Sequence, residues 1–164
     1  MRRRTVIVVL VILLAVIVAS VAAMSRHASN RWYSTYGASD AAAVNQDNQI
    51  LVSDVALPPA SAVSHLRYDC GIGLRDVTRV LSHPQPSDPD LRRLYRRALT
   101  QNATTYRTCE RVLAAPMGGS LAVALTSIVS EIHRFDHDAA AVGGRARKLG
   151  FGPLLSVFVV APGS

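Results

Sequence analysis

The chain opens with an unbroken apolar run, and after it apolar residues recur at helical spacing. The run, residues 5–24, reads TVIVVLVILLAVIVASVAAM and contains no charged residue. A helix of that length spans about 30 Å, which is the thickness of the hydrocarbon core of a bilayer. A helix buried in a soluble core would carry a polar stripe, and this run has none. The pattern predicts a transmembrane helix, preceded by a short basic start at residues 1–4.

The basic start is compatible with an uncleaved signal-anchor and with a cleaved signal peptide. Residues 20–22 (SVA) resemble a small-x-small cleavage site, but the apolar run continues without a polar break to residue 24, which favours an anchor. Residues 2–4 are all arginine, whereas only Arg26 and Arg31 follow the run closely. The positive-inside rule therefore predicts a cytoplasmic start, with the remainder of the chain outside the cytoplasm.

Residues 25–39 are small and polar, and they are interpreted as a juxtamembrane linker. Trp32, Tyr33 and Tyr36 cluster within it. These aromatic residues are either incidental to the linker or an anchor at the membrane–water interface, where tryptophan and tyrosine are enriched.

Residues 40–142 carry four helical patterns joined by short connections, which predicts an all-α, up-down-up-down bundle. The patterns and their expected ends are residues 41–57 with Asp40 as N-cap, 62–82 with Ser61 as N-cap, 89–114 with Asp88 as N-cap, and 120–142 ended by Gly143 and Gly144. Polar residues 45–49 dilute the first pattern, so a three-helix core is the alternative. Residues 143–164 are interpreted as a flexible apolar tail that either docks on the bundle, stays disordered or contacts the membrane.

Cys70 and Cys109 both fall near the centre of the apolar stripe of their helices. Two inward-facing cysteines in an oxidising compartment are expected to form a disulfide, whereas in the cytoplasm they would remain buried thiols. If the second and third helices were level, residue 70 would face residue 101 rather than 109. The disulfide therefore predicts that these two helices are staggered by about 12 Å.

The third helix has the clearest separation of charge, because its arginines lie opposite its apolar stripe. Arg92, Arg93, Arg96 and Arg97 form a dense cationic patch, which Arg107 and Arg111 extend. The patch is a candidate surface for an acidic protein partner or an anionic membrane surface. The alternative is an ordinary solvated helix face.

Histidines supply only weak candidates for a metal site. His133 and His137 are four residues apart, a spacing that lets two imidazoles share one metal. Both lie away from the apolar stripe of the fourth helix, so a solvated face is the preferred interpretation. His65 and Asp69 are also four residues apart, and we interpret them as a surface pair.

Composition narrows the function classes without naming one. Hydrophobic residues make up 49% and charged residues 18% of the 164-residue chain, which excludes a disordered protein, and two cysteines exclude a disulfide-dense scaffold. Aromatic residues are 5%, few for a surface that stacks single-stranded nucleic acid, so nucleic acid is an unlikely partner. We find no catalytic constellation and predict no cofactor.

The sequence therefore favours a non-catalytic, membrane-anchored domain that acts outside the cytoplasm by protein or envelope-surface interaction. One alternative is a bundle in the envelope that binds a small ligand or metal. A further alternative is a cytoplasmic-facing regulator that binds nucleic acid or lipid, in which both cysteines would be free thiols.

Overall fold

The structure is a computed structural model that describes residues 2–114 and 121–158, and all its regular elements are helices. These are α1 (Arg2–Trp32), α2 (Ala38–Val55), α3 (Pro59–Ser82), α4 (Pro89–Ala114) and α5 (Leu121–Lys148). Helices α2 to α5 each pack against the next in sequence, which confirms the predicted four-helix up-down bundle.

Helix α1 is long and apolar enough to span a membrane. Every side chain from Leu10 to Met24 is exposed, because no other part of the described chain packs against this segment. A stretch of exposed leucine, isoleucine and valine of this length is unfavourable in water and is the surface expected of a lipid-facing helix.

Helix α1 continues into α2 without a loop, through one π-helical turn at Tyr33–Gly37. The indole of Trp32 is 6% exposed, lies edge-on to the ring of Tyr95, and donates a 2.7 Å hydrogen bond from Nε1 to the carbonyl of Pro84. A side chain on Gly37 would collide with this indole, at 2.8 Å from Cη2. The π-helical turn therefore seats the tryptophan in the core where α1 enters the bundle.

This junction differs from the sequence prediction in three respects. Residues 25–39 are helical rather than a linker, and Trp32 belongs to the core rather than to an interfacial anchor. Asp40 does not cap a helix, because it lies inside the continuous one, where its carboxylate is 3.0 Å from Nδ1 of His83. The aromatic residues order this segment through contacts with Pro84, Tyr95 and Phe151, which are distant in the chain and which local sequence does not reveal.

Helix α4 begins and ends where its sequence pattern predicted. Asp88 accepts a 2.8 Å hydrogen bond from the backbone N–H of Leu91, as an N-cap should, and Pro89 occupies the first position of the helix. The guanidinium of Arg145 holds the same carboxylate at 3.1 and 2.6 Å and so ties the end of α5 to the start of α4. Helix α3 begins at Pro59 instead of residue 62, without a side-chain cap from Ser61.

The predicted stagger between α3 and α4 is present. Cys70 is bonded to Cys109, and Gly73 lies against the ring of Tyr106. The two helices are antiparallel, so a residue farther along α3 faces a residue earlier in α4. Extended in this way, both contacts place residue 82, the end of α3, beside residue 97 of α4. The first two turns of α4 consequently extend about 12 Å past the end of α3. These two turns of α4 pack beside Trp32, at the end of the bundle that α1 enters. We call this end of the bundle the near end.

The carboxyl-terminal segment is ordered where the sequence predicted a flexible tail from residue 143. Helix α5 runs through both glycines to Lys148, because Val142 and Ala146 are fully buried and their packing outweighs the low helix propensity of glycine. Residues 149–158 dock on the bundle: the ring of Phe151 stacks on Tyr33 at 5.1 Å, and Leu154 is fully buried. Residues 159–164 of the predicted tail lie outside the described residues.

Candidate functional site

The four arginines singled out in the sequence line one open groove on the outer side of α4. All four side chains are exposed, and the groove has a volume of about 620 Å³. Its lining residues are Pro89, Arg92, Arg93, Arg96, Arg97, Thr100, Gln101, Thr104 and Asp138. We call this surface the arginine groove.

The helical periodicity of α4 creates the groove. Arg92 and Arg96 lie one turn apart, as do Arg93 and Arg97, whereas the buried Leu91 stands on the core side. The core face of α4 is broad, because Leu99 is fully buried and Leu94, which borders the arginines, is partly buried.

The arginines differ in how far their charge is neutralised. The guanidinium of Arg92 donates to the carbonyls of Pro86 and Ser87 at 2.7 and 3.1 Å, which orients it without cancelling its charge. Arg96 has no carboxylate partner within the part of the chain described. Arg93 pairs with the exposed Asp90 at 3.3 Å, and Arg97 pairs with Asp138 at 3.0 Å. The groove therefore keeps a net positive charge.

The groove begins at the near end of the bundle and runs along α4 away from it. The side chains of Ser87 and Ser29 are hydrogen-bonded, so the start of α4 lies beside α1 a short distance after Met24. From Pro89 to Thr104 the groove follows about 22 Å of helix. Arg107 and Arg111 are exposed farther along α4 and do not line it.

Among residues 2–114 and 121–158, the two predicted metal candidates on α5 share no third metal-binding side chain. His133 and His137 are both exposed, and His137 approaches only Asp138, at 3.6 Å, which Arg97 already holds. The nearby Asp136 accepts a 2.9 Å hydrogen bond from the backbone N–H of Phe158 in the docked tail. These residues act in surface pairing and tail docking.

Cys70 and Cys109 form the predicted disulfide, with Cα atoms 6.2 Å apart. Both residues are fully buried, and α3 and α4 are joined near the middle of α3. A disulfide is typical of proteins folded in an oxidising compartment. The bond is structural, because neither sulfur reaches the surface.

Sequence reasoning missed a row of carboxylates between α2 and α3. Asp40, Asp47 and Asp54 follow each other at seven-residue intervals on α2, and each faces titratable residues of α3 or His83 directly after it. The opposing residues are His83 for Asp40, Asp76 for Asp47, and His65 with Asp69 for Asp54. We call this row the acidic seam. The seven-residue spacing was visible in the sequence, but only the pairing of α2 with α3 shows that it faces another helix.

Burial and mutual repulsion raise carboxylate pKa values along the acidic seam. The pKa of Asp47 rises to about 6, first because the side chain is desolvated and then because Asp76 lies nearby, although Arg79 opposes the shift. Burial and the adjacent Asp69 raise the pKa of Asp54 to about 6 as well. The fold therefore carries like charges in partly desolvated positions at neutral pH.

Asp47→Asn is expected to stabilise the protein at pH 7.5 by about 1–3 kcal/mol and to have little effect at pH 4. The raised pKa means that folding favours the protonated form, so the contribution of Asp47 to stability falls as pH rises from about 4 to 6. Unfolding of the full chain in mild detergent at several pH values measures this. Glu110→Gln, at an exposed position of α4, is the control and should leave the pH dependence unchanged. Equal pH profiles for Asp47→Asn and the parent would contradict the assignment.

No protein-family model matches the chain, and neither a curated protein nor a solved structure is similar to it.

Proposed function

We propose that this protein is a membrane-anchored, non-catalytic helical domain, located outside the cytoplasm, that binds an acidic segment of a partner protein in its arginine groove. The observation that carries the proposal is the groove itself. Four exposed arginines share one open, elongated surface, and two of them, Arg92 and Arg96, retain charge that no carboxylate of the described chain neutralises. Carboxylates are the natural ligands of guanidinium groups, which hold them through paired hydrogen bonds.

Three observations support the anchored, extracytoplasmic placement. The exposed apolar surface of α1 calls for a lipid environment, and the arginines before it favour a cytoplasmic start. The disulfide favours an oxidising compartment for the bundle. The disulfide counts against the cytoplasmic-facing regulator, in which both cysteines would be free thiols.

The direction of the groove favours a protein segment over the lipid surface. The start of α4 lies beside α1, where Tyr95 meets Trp32, and α4 runs from there along the bundle, so the groove extends away from the plane of the membrane. Only its first arginines lie close to the level of lipid headgroups, whereas an extended acidic peptide is able to follow its full length. Charge complementarity of this kind also accelerates association and opposes binding of basic partners.

The test measures binding of a fluorescent, glutamate-rich peptide to the full chain in nanodiscs of zwitterionic lipid. The parent is expected to bind, with an affinity that falls as salt rises. The variant R92Q/R93Q/R96Q/R97Q is expected to bind about tenfold or more weakly, because each exposed ion pair contributes about 0.2–1 kcal/mol.

The matched control is R67Q/R75Q/R107Q/R111Q, which removes the same charge from exposed positions outside the groove. It should retain nearly the parent affinity. An equal loss in both variants would show that only net charge matters. Binding to anionic vesicles but not to the peptide would replace the acidic segment with lipid headgroups as the ligand.

A further inference from the structure

The end of the acidic seam farthest from α1 brings three metal-binding side chains from two helices together. Asp54 lies in the last turn of α2, and His65 and Asp69 lie one turn apart in α3, on the other side of the connection that joins the two helices. One ligand atom from each residue lies within 4.8 Å of the other two. The four-residue spacing on α3 directs imidazole and carboxylate to the same side of the helix.

Asp54 is the buried member of this cluster, and one of its two carboxylate oxygens has no donor. Its side chain is 8% exposed, and Oδ2 is buried with no hydrogen-bond donor among the residues that the structure describes. The Nδ1 atom of His65 is 3.6 Å from Oδ1 of Asp54, beyond hydrogen-bond distance. The other near neighbour is Asp69, whose carboxyl group shares a hydrogen bond with Asp54 when one of the two is protonated and repels it when both are ionised. A buried carboxylate in these surroundings requires a cation or a proton.

The donor set selects the class of cation. One imidazole nitrogen and two carboxylate oxygens suit a divalent ion that accepts both nitrogen and oxygen, such as Zn²⁺. Calcium and magnesium prefer oxygen ligands alone, so the histidine disfavours them. In tetrahedral zinc sites neighbouring ligand atoms are about 3.4 Å apart, given metal–ligand distances near 2.1 Å. The ligand atoms lie within 4.8 Å of one another, and the His65 side chain, which is 58% exposed, has room to rotate towards the two carboxylates.

We propose that Asp54, His65 and Asp69 bind one zinc ion that joins the end of α2 to the start of α3. Water completes the coordination, since His65 faces solvent. Bound zinc neutralises both carboxylates and satisfies the orphaned oxygen of Asp54. The ion acts as a clamp on the α2–α3 turn, at the opposite end of the bundle from the start of the arginine groove, and the two proposals are independent.

The experiment uses the full chain in mild detergent, freed of metal with a chelator and then titrated with Zn²⁺ against a chromophoric zinc indicator. One equivalent is expected to bind, and saturating zinc should raise the melting temperature by several degrees, because a ligand that binds only the folded state stabilises it. Mg²⁺ at the same concentration should do neither. Co²⁺ in place of zinc should give visible absorption bands characteristic of a site with nitrogen and oxygen ligands.

His65→Gln and Asp69→Asn should each lower zinc affinity about tenfold or more and abolish the rise in melting temperature. The matched control H133Q/H137Q removes the exposed histidine pair of α5 and should bind zinc as the parent does. Loss of binding in this control instead would place the metal on α5 and overturn the proposal. Absence of zinc binding by the parent would show that Asp54 and Asp69 share a proton and hold no metal. If a variant fails to fold, the zinc stoichiometry and cobalt spectrum of the parent decide between these outcomes.

Discussion

Gly73→Ala is expected to destabilise the bundle by about 2–4 kcal/mol, through overpacking and the disturbance of a buried hydrogen bond. A Cβ atom at this position would overlap the ring of Tyr106, which is 1% exposed and cannot move away into solvent. The phenol of Tyr106 donates a 2.9 Å hydrogen bond to Oδ1 of Asn48, so displacing the ring also disturbs the contact between α4 and α2. Urea unfolding of the full chain in mild detergent measures the change.

Gly144→Ala is the matched control for this substitution. It also places alanine inside a helix, but its Cβ would meet no atom within 4 Å. Helix propensity alone then applies, and the control should gain up to about 1 kcal/mol. Similar effects of the two substitutions would show that the close approach of α3 to Tyr106 is not a feature of the folded protein.

Loss of the disulfide is the second large effect expected. In the chain-entropy model, a bond between residues 39 apart in sequence stabilises a protein by about 4 kcal/mol at most. C70A/C109A, or the parent treated with a strong reductant, should therefore melt about 10 °C lower than the oxidised parent. Thermal unfolding with and without reductant checks this.

The double variant also serves as the control for reductant. Its melting temperature should not change when reductant is added, because it has no bond to break. A parent whose melting temperature is also insensitive to reductant would contradict a stabilising disulfide between α3 and α4.

Local sequence signals were sufficient to predict the features that depend on interactions between neighbouring residues. The N-cap Asp88 followed by Pro89 predicted the start of α4. The apolar periodicity of α3 and α4 predicted that both cysteines face the core. From the disulfide the stagger of the two helices followed as a geometric necessity. These features depend on a few neighbouring residues, or on one distance constraint.

Features that depend on long-range pairing were not predictable in the same way. Gly143 and Gly144 predicted the end of a helix, but α5 continues past them because its later residues are buried against other elements. Trp32 read as part of a linker, because nothing nearby in sequence shows that Tyr95 and Pro84 receive it. Predicting the acidic seam would have required the register of α2 against α3. The residue pattern of a single helix does not give this register. The arginine patch was predicted as a surface, but its groove depends on Asp138 of α5.

If the proposed function holds, the π-helical turn that joins α1 to α2 restricts where a partner would have to present its acidic segment. A loop would let the bundle tumble over the membrane, but a continuous helix with Trp32 locked into the core leaves rotation about the anchor axis as the main freedom. In the proposed arrangement, rotation about this axis keeps the groove within a fixed range of distances from the bilayer surface. This range starts close to the headgroups, where Ser87 meets Ser29, and covers about the next 20 Å. The protein would thus act as a ruler that selects partners by the distance of their acidic segment from the bilayer.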